Sequence, residues 1–588
     1  MKSWWLHAFV VSASLITGYL IYTHLIVPGG PMSWDEASHA LFGLTIAYDL
    51  QQGDWLGFIY DTYRQAYWPF LHSWLAGIGF LIAGPSTITA RTVSLFTFIT
   101  LALTLYLAAR QMRQQQREFA GIIAATILLT SPPLVSFAAK SMLEVPGLLA
   151  LTVTFLIYFK FTGGEASPHK CFLLGLAITL TYFVRSHYGV LVFIAIVINQ
   201  LIDARFHVRL LLTRCNFYTA LPMVVILPVW LAYPPKLIVA WRSLVNYPHG
   251  VTEPFGIAGW LFYPRAFFHL AGSVWLFALL LASLLAAFKF RQDKNVRFLL
   301  VFVLTQLVIG QLHHTKVDRY IFPILPALFL LAGYVLAEWW SHSRQPEKIL
   351  QFWLPRLLTG ALGLIAVNHF NYSLHPPPAD HSEGVGELIA ATVRETGTTF
   401  ILGTVDVRRP TPPRLDWQLI TQEQVMQVPQ AGSVRPIEAE RNIAAALSRY
   451  HLPACLSEKI LTVLNRPDRA GATRSLYLGL PPRASYFRNQ ANFDTYLQST
   501  LKDNYFDGVV VMTSLAARPR YPLEFIVPSL QKAGLRRVST REFKDMATRV
   551  DLYKRKPWPK PNRKRLQPLS RGSQPTNQSG LDEPGEIR

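Results

Sequence analysis

Long apolar runs separated by short basic clusters constrain this chain more than any other feature. A transmembrane helix needs about 20 consecutive, mostly apolar residues to cross the hydrocarbon layer of a bilayer. Runs of this kind fill the first two thirds of the sequence. Only 15% of the 588 residues are charged, against about 25% in an ordinary soluble domain. The sequence therefore predicts an α-helical polytopic membrane protein.

The apolar runs divide into about eleven predicted spans. The first run, Trp4 to Val27, has some features of a signal peptide. It is long for one and has no clear small-residue cleavage site, so we interpret it as a retained first span. The predicted spans cover residues 5–27, 86–108, 119–136, 146–162, 171–184, 188–203, 216–234, 264–288, 298–312, 320–338 and 352–370.

Basic residues collect in alternate loops, which indicates the orientation of the chain. Short loops rich in Lys and Arg stay on the cytoplasmic side of a membrane. We therefore predict a multi-pass protein of the plasma (inner) membrane with a cytoplasmic N-terminus. The basic loops lie after Ala109, Phe159, Ala204, Phe288 and Ser343. The loops predicted to face outward are 28–85, 137–145, 235–263 and 313–319, together with everything after His375.

The net charge of +21 is explained by the same placement. A basic chain of this kind could bind nucleic acid. Here, however, the basic residues flank apolar spans, where they orient the protein, or lie in the C-terminal tail. We predict membrane lipids as partners and no nucleic acid.

The three cysteines predict neither a zinc site nor a disulfide framework. Cys171 and Cys215 lie at the ends of apolar segments, and Cys455 stands alone in the polar C-terminal region. No Cys-x-x-Cys pair or Cys/His cluster occurs in the sequence, and zinc sites normally carry such spacings.

The chain divides into three predicted parts. Residues 1–375 form a transmembrane domain whose outer loop, 28–85, holds two helices lying in the membrane plane, Trp34 to Gln52 and Trp68 to Ala83. After Pro376-Pro377-Pro378, residues 376–556 alternate helix-like and strand-like segments, which is typical of an α/β domain. Strands are predicted at 398–405, 474–480, 506–513 and 548–554, and helices at 384–397, 437–450, 491–503 and 524–534. Residues 557–588 form a basic, disordered tail.

Asp35 and His39 are the first candidate site residues. They follow the first span and are four residues apart, which places them on one helix face. Ser33 and Glu36 have the spacing of a capping box, so helix capping is an alternative role for Glu36. The capping alternative does not account for Asp35.

Other polar clusters lie in the outer loops or at their edges. Lys140 and Glu144 are four residues apart and could pair with each other. Arg185 and His187 interrupt an apolar run, which would also fit a tight hairpin with snorkelling side chains. The remaining members of this set are His313, His314, Lys316, Asp318, Arg319 and Tyr320.

Carboxylates and cations at a similar predicted depth suit one kind of chemistry. A carboxylate such as that of Asp35 or Glu144 can take a proton from an acceptor hydroxyl. Arg185, Lys316 and Arg319 can stabilise the negative charge of a departing phosphate. Transfer of a sugar from a lipid-phosphate carrier requires both functions.

The order of these segments resembles the GT-C superfamily of glycosyltransferases, in the branch of protein O-mannosyltransferases and the lipid A aminoarabinose transferase. Residues 1–340 carry the resemblance. Asp35-Glu36 is similar to the acidic pair after the family's first span, and Trp68 to Leu75 to its Lys-Pro-Pro-Leu-x-x-Trp-Leu. Further similar segments are Ala90-Arg91, Ser141 to Glu144, Tyr182 to Ser186 and Thr315 to Pro323.

The resemblance implies a fold, a reaction and a set of site residues. The expected fold is GT-C-like with a C-terminal α/β domain. The expected reaction is inverting transfer of a sugar from a polyprenyl-phosphate donor to a glycan, lipid or protein acceptor. Asp35 and Glu36 are the expected catalytic residues, with Asp35 as base. The expected substrate-binding residues are His39, Glu144, Arg185, Lys316, Arg319 and Tyr320.

The sequence departs from the family pattern in ways that leave the substrates open. Trp68 stands where aminoarabinose-transferase-like members have lysine, and Phe70 replaces the second proline. No cofactor is assigned, and a divalent metal is compatible with the family although no ligand is predicted for one.

Two other classes of protein fit part of the pattern. A transporter or lipid flippase of cell-envelope glycan assembly would need charges near mid-bilayer and often internal repeats. The charges here lie at span ends, and no repeat is visible. A membrane assembly factor without enzymatic activity would not need the acidic pair, which is intact at Asp35 and Glu36.

Overall fold

Helices dominate the computed structural model of the protein. It describes the backbone of residues 4–28, 34–63, 65, 68–84, 87–112, 116–162, 167–233, 236–237, 240–241, 255–313, 316–342, 349–375, 399–403, 476–478, 508–514, 523–543 and 548–555. Within these ranges some side chains, that of Asp35 among them, lie outside the description. The triple proline, the tail, Cys455 and the helices predicted at 384–397, 437–450 and 491–503 lie outside the described residues.

The N-terminal half is a run of eleven helices. Helix α1 continues as a π-helical turn, Tyr22–Ile26. The helices are α1 (Trp4–Ile21), α2 (Trp34–Gln52), α3 (Trp55–Tyr63), α4 (Leu71–Ala83), α5 (Thr87–Arg110), α6 (Arg117–Thr130), α7 (Pro132–Ala138), α8 (Glu144–Thr162), α9 (Pro168–Val184), α10 (Ser186–Asp203) and α11 (Arg214–Leu231).

Further helices complete the apolar part of the chain. They are α12 (Ile257–Ala271), α13 (Val274–Ala287), α14 (Lys294–Leu312), α15 (Ile324–His342) and α16 (Ile349–Ser373). Among the described residues, seven helices are long and apolar enough to cross a membrane, or nine if each of two bent pairs is one span. The polytopic membrane fold is confirmed, and the count of eleven spans stays a prediction.

Both bent pairs have a local cause in the sequence. The predicted span 119–136 is α6 and α7, which meet at 67° where Ser131 precedes Pro132. Proline cannot continue the hydrogen-bond ladder of a helix. The predicted span 264–288 is α12 and α13, at 117°. Gly272 ends α12 in the left-handed conformation (φ 75°), and the Ser273 hydroxyl caps α13 by accepting from Leu276 N–H.

The outer loop 28–85 folds largely as predicted. Helix α2 has the predicted limits, whereas α4 begins at Leu71, because Pro69 lies in the segment predicted to open the helix. The short helix α3 between them was not predicted. Helices α2 and α4 pack together through small residues, since a Cβ atom on Gly43 would lie 2.5 Å from the Cβ of Ala76. This close approach brings the first turns of α2 and α4 to one place.

A disulfide joins α9 to α11, so the prediction of no disulfide is wrong. Cys171 and Cys215 have Cα atoms 5.3 Å apart. The two helices lie side by side, and the Thr219 hydroxyl donates to the Cys171 carbonyl oxygen at 3.2 Å. A contact between helices 44 residues apart in sequence cannot be read from cysteine spacing.

The described residues after 398 include a five-stranded sheet. The strands are β1 (Thr399–Gly403), β2 (Leu476–Leu478), β3 (Gly508–Ser514), β4 (Leu535–Phe543) and β5 (Thr548–Arg555). The sheet order is β2-β1-β3-β5-β4, with the first three strands parallel and the last two antiparallel to their neighbours. Four of these strands match predicted ones, β4 was not predicted, and α17 (Leu523–Lys532) overlaps the helix predicted at 524–534.

The packing of α2 on α4 can be tested with Gly43→Ala. The added methyl group would meet Ala76 at 2.5 Å, and overpacking of this kind typically costs about 1–3 kcal/mol. Gly363→Ala on α16 is the matched control, because a Cβ there meets nothing within 4 Å among the described residues. In thermal unfolding of the purified protein, Gly43→Ala should lower Tm and Gly363→Ala should not. Equal Tm values for the two variants would contradict the packing.

Candidate active site at one end of the helices

Glu36 lies at the centre of a buried polar contact between three segments. Its side chain is in the first turn of α2, and the residue is 1% exposed. Arg91 of α5 donates from Nε to Glu36 Oε1 at 2.8 Å and from Nη2 to Oε2 at 3.4 Å. The backbone N–H of Ser141, just before α8, donates to Oε1 at 3.0 Å. Glu36 therefore ties the start of α2 to α5 and to the α7–α8 turn.

Asp35 precedes Glu36 on α2, but its side chain lies outside the described residues. Its predicted role as base stays a prediction. Ser33, the proposed partner of Glu36 in a capping box, also lies outside them.

Glu144 forms a second buried contact, with two arginines. Its side chain is fully buried in the first turn of α8. Its Oε1 lies 3.0 Å from Nη1 of Arg185 and 3.7 Å from Nη1 of Arg319. The predicted pairing with Lys140 is wrong, because the Lys140 ammonium lies over the Phe137 ring at 5.8 Å. The snorkelling alternative for Arg185 is also wrong, since Arg185 is 8% exposed.

Arg185 reaches Glu144 because the chain breaks between α9 and α10. Arg185 is extended (φ −152°, ψ 107°), so it ends one helix and precedes the next. Gly147 lets α8 approach this junction closely, since a Cβ there would lie 3.0 Å from the Tyr188 ring and 3.2 Å from the Arg185 Cβ. A larger residue at 147 would push Arg185 away from Glu144.

Lys316 has a different set of contacts from Arg185. Its ammonium donates to the carbonyl oxygens of Gly310 and Gln311 at 3.1 and 3.0 Å. These carbonyls belong to the last turn of α14, so Lys316 caps that helix. Burial lowers the pKa of the Lys316 ammonium. The predicted role of Lys316 in substrate binding stays a prediction.

Arg319 and Tyr320 lie on a 3-10 turn, Asp318–Ile321. The Tyr320 ring lies 5.7 Å from the ring of His187 and 6.3 Å from that of His313, measured between centroids. The turn therefore brings Arg319 and Tyr320 beside the α9–α10 junction.

His39 lies among aromatic rings next to the arginines. Its ring centroid is 4.8 Å from that of Trp68 and 5.2 Å from that of His72. Burial lowers the pKa of His39 well below its usual range, and His72, Arg185 and Arg319 lower it further.

His72 was missed as a candidate site residue. It is fully buried at the start of α4, and neither ring nitrogen has a hydrogen-bond partner among the described residues. Burial lowers its pKa to about 4. His72 lies in the Trp68 to Leu75 segment, and the contact with His39 that distinguishes it is not visible in the sequence.

Lys236 was missed as well. Its ammonium lies 2.9 Å from the ring centroid of Trp230 and 3.9 Å from that of Tyr63, with no hydrogen-bond partner among the described residues. Burial lowers its pKa to about 7. Trp230 also contacts Phe70, 5.1 Å away between centroids, so an aromatic group connects Lys236 to the segment that carries Trp68 and His72.

A metal-binding cluster is not evident in the part of the chain that the structure describes. No group of three or more His, Cys, Asp or Glu side chains there is arranged to hold an ion. Asp35 is excluded from that statement because its side chain is undescribed.

Known structures share this arrangement of helices. No protein-family model matches the sequence, and no curated protein matches it either. The crystal structure of ArnT from Cupriavidus metallidurans in the apo state has a TM-score of 0.54 at 12% identity, and that of ArnT bound to undecaprenyl phosphate has 0.50 at 13%. Each match covers 94% of this chain and 98% of that chain. The chain therefore has the fold of these ArnT structures, in agreement with the fold that the resemblance found in the sequence implies.

Glu144→Gln tests the buried contact of Glu144 with Arg185 and Arg319. The change removes the negative charge that faces Arg185 and Arg319, and breaking a buried ion pair in this way costs about 3–5 kcal/mol. We expect a clear fall in Tm of the purified protein. Lys140→Gln is the matched control, because the Lys140 ammonium does not pair with Glu144, and it should leave Tm close to wild type. An unchanged Tm for Glu144→Gln would show that the contact does not stabilise the fold.

Proposed function

We propose that the chain is a membrane glycosyltransferase that transfers a sugar from a polyprenyl-phosphate donor to an acceptor on the outer side of the membrane. The observation that carries the proposal is the convergence of Arg185 and Arg319 with the Asp35–His39 turn of α2 in a GT-C fold. The ArnT structure with bound undecaprenyl phosphate supports a polyprenyl phosphate as the carrier.

Arg185 and Arg319 are proposed to bind the carrier phosphate. The guanidinium groups of Arg185 and Arg319 both face the carboxylate of Glu144, which brings two positive charges to one place. Guanidinium groups bind phosphate oxygens through charge-assisted hydrogen bonds. Their charge stabilises the departing phosphate as its negative charge grows. Glu144 is proposed to fix the two guanidinium groups before the donor arrives.

Asp35 is proposed to act as the base. Its carboxylate takes the proton of the acceptor hydroxyl while the acceptor oxygen forms a bond to the anomeric carbon. The bond from that carbon to the phosphate oxygen breaks, and its electron pair leaves with the carrier phosphate. Attack opposite the leaving group inverts the anomeric configuration.

Glu36 is proposed to position the base and not to react. Its two oxygens already accept hydrogen bonds from Arg91 and from Ser141 N–H. A carboxylate held in this way has little basicity left for a substrate proton. The contact fixes the first turn of α2, and with it the backbone of Asp35 and the side chain of His39.

The acceptor is proposed to be a glycan, a lipid or a protein. Residues 376–556, predicted to form an α/β domain outside the membrane, would cover or recruit it. The parallel strands β1, β2 and β3 are consistent with an α/β domain.

Asp35→Asn and Glu36→Gln separate the two proposed roles. Asp35→Asn removes the base, and loss of a general base costs about 10²–10⁴-fold in rate. Transfer in washed membranes from a panel of polyprenyl-phosphate sugars should fall by that factor while Tm stays near wild type. Glu36→Gln weakens a buried pair, so it should lower Tm and reduce transfer less.

The ranking of the two variants decides the assignment. It is measured at matched protein levels, so that a loss of folded protein is not mistaken for a loss of catalysis. Wild-type transfer by Asp35→Asn, or a larger rate loss in Glu36→Gln at equal folded protein, would remove Asp35 from the role of base.

Reporter fusions test the proposed orientation. Reporters placed after Arg110 and after His375 should lie in opposite compartments, with Arg110 cytoplasmic. The Cys171–Cys215 disulfide is next to Lys170 and Arg214, on the side predicted to be cytoplasmic. Because the cytosol keeps most thiols reduced, this disulfide counts against the predicted orientation, and the fusions decide between the two. The same compartment for both reporters would contradict the topology and the outward-facing site.

A further inference from the structure

The two ring nitrogens of His72 are buried inside the protein and have no hydrogen-bond partner among the described residues. The residue is 0% exposed. A neutral imidazole carries one donor and one acceptor. Leaving such groups buried without partners is costly, and each case calls for a specific cause such as a ligand.

The surroundings of His72 have the features of a sugar subsite. His39 and Trp68 form a cluster with it, with centroid distances of 5.2 Å from His39 to His72 and 4.8 Å from His39 to Trp68. Imidazole nitrogens can bond hydroxyl groups as donor or acceptor, and an indole ring offers a flat apolar face. A sugar ring has hydroxyl groups at its edge and C–H groups on its faces, so it matches both.

The position of this cluster relative to the arginines also fits. His39 follows Glu36 by one helical turn, and the Glu36 carboxylate accepts a hydrogen bond from Ser141 N–H, three residues before Glu144 and its two arginines. This contact places the first turn of α2, and His39 with it, near the proposed phosphate site. In a polyprenyl-phosphate sugar the sugar is bonded directly to the phosphate. A phosphate held by Arg185 and Arg319 would therefore place its sugar beside His39.

Resting on the proposed function, we infer that His72, His39 and Trp68 form the subsite for the donor sugar and bind it through its hydroxyl groups.

Binding of defined carriers to the purified protein in nanodiscs tests the inference without any need for the acceptor. The probes are undecaprenyl phosphate alone and its glucose derivative. We expect the glucose derivative to bind about 5- to 150-fold more tightly than undecaprenyl phosphate alone, the range that corresponds to satisfying one uncompensated buried polar group.

His72→Phe separates the sugar from the phosphate. The variant should lose most of the added affinity for the glucose derivative and keep wild-type affinity for undecaprenyl phosphate alone. His72→Gln, which restores a donor and an acceptor, should recover part of the loss. His369→Phe is the matched control, since His369 is also buried (7% exposed) but lies on α16, outside the cluster. It should match wild type with every probe.

The outcomes distinguish this inference from the proposed function. If no probe binds to wild-type protein, the proposed function and the inference both fail. If undecaprenyl phosphate binds as tightly as its glucose derivative, the sugar subsite is refuted while the proposed function stands. If His72→Phe weakens undecaprenyl phosphate and its glucose derivative equally, His72 is not part of a sugar subsite.

Discussion

The carboxylate of Glu36 joins three parts of the chain that are far apart in sequence. Arg91 comes from the first long span after the outer loop, and Ser141 comes from the turn before α8. Because all three groups are buried, the contact must form completely or leave a charge without a partner, which is strongly destabilising. The first turn of α2 is therefore fixed relative to the spans, and the geometry of the proposed site depends on that turn.

A second carboxylate, that of Glu144, joins the two arginines of the site. It brings together Arg185 from the α9–α10 junction and Arg319 from the turn before α15. The two contacts are built alike but have different consequences. Glu36 bonds to one arginine, whereas Glu144 faces two, which is the arrangement proposed to bind an anionic ligand. The site thus separates a region suited to a phosphate from a neutral region of imidazole and indole rings.

The sequence allowed the helical parts to be predicted where the signal is local. Apolar runs and the limits of α2 follow from hydropathy and from the capping residues near Ser33. The breaks at Pro132 and Gly272 also have a signal in the sequence: a proline pair at the first and Ala-Gly-Ser at the second. A hydropathy average over about 20 residues does not detect signals this short. Partners could not be predicted in this way. Glu144 has a nearby lysine in sequence but pairs with arginines that only the packing of α8, α9 and α10 brings to it.

The central claim is a single displacement at the anomeric carbon of a polyprenyl-phosphate sugar. The most direct measurement follows a donor of known anomeric configuration through turnover by the purified protein, with a membrane extract as the source of acceptor. Released undecaprenyl phosphate is quantified, and the configuration of the new glycosidic bond is determined by NMR. The account predicts one carrier phosphate released per sugar transferred, with inverted configuration. Retained configuration, or no release of carrier phosphate by a folded protein, would contradict it.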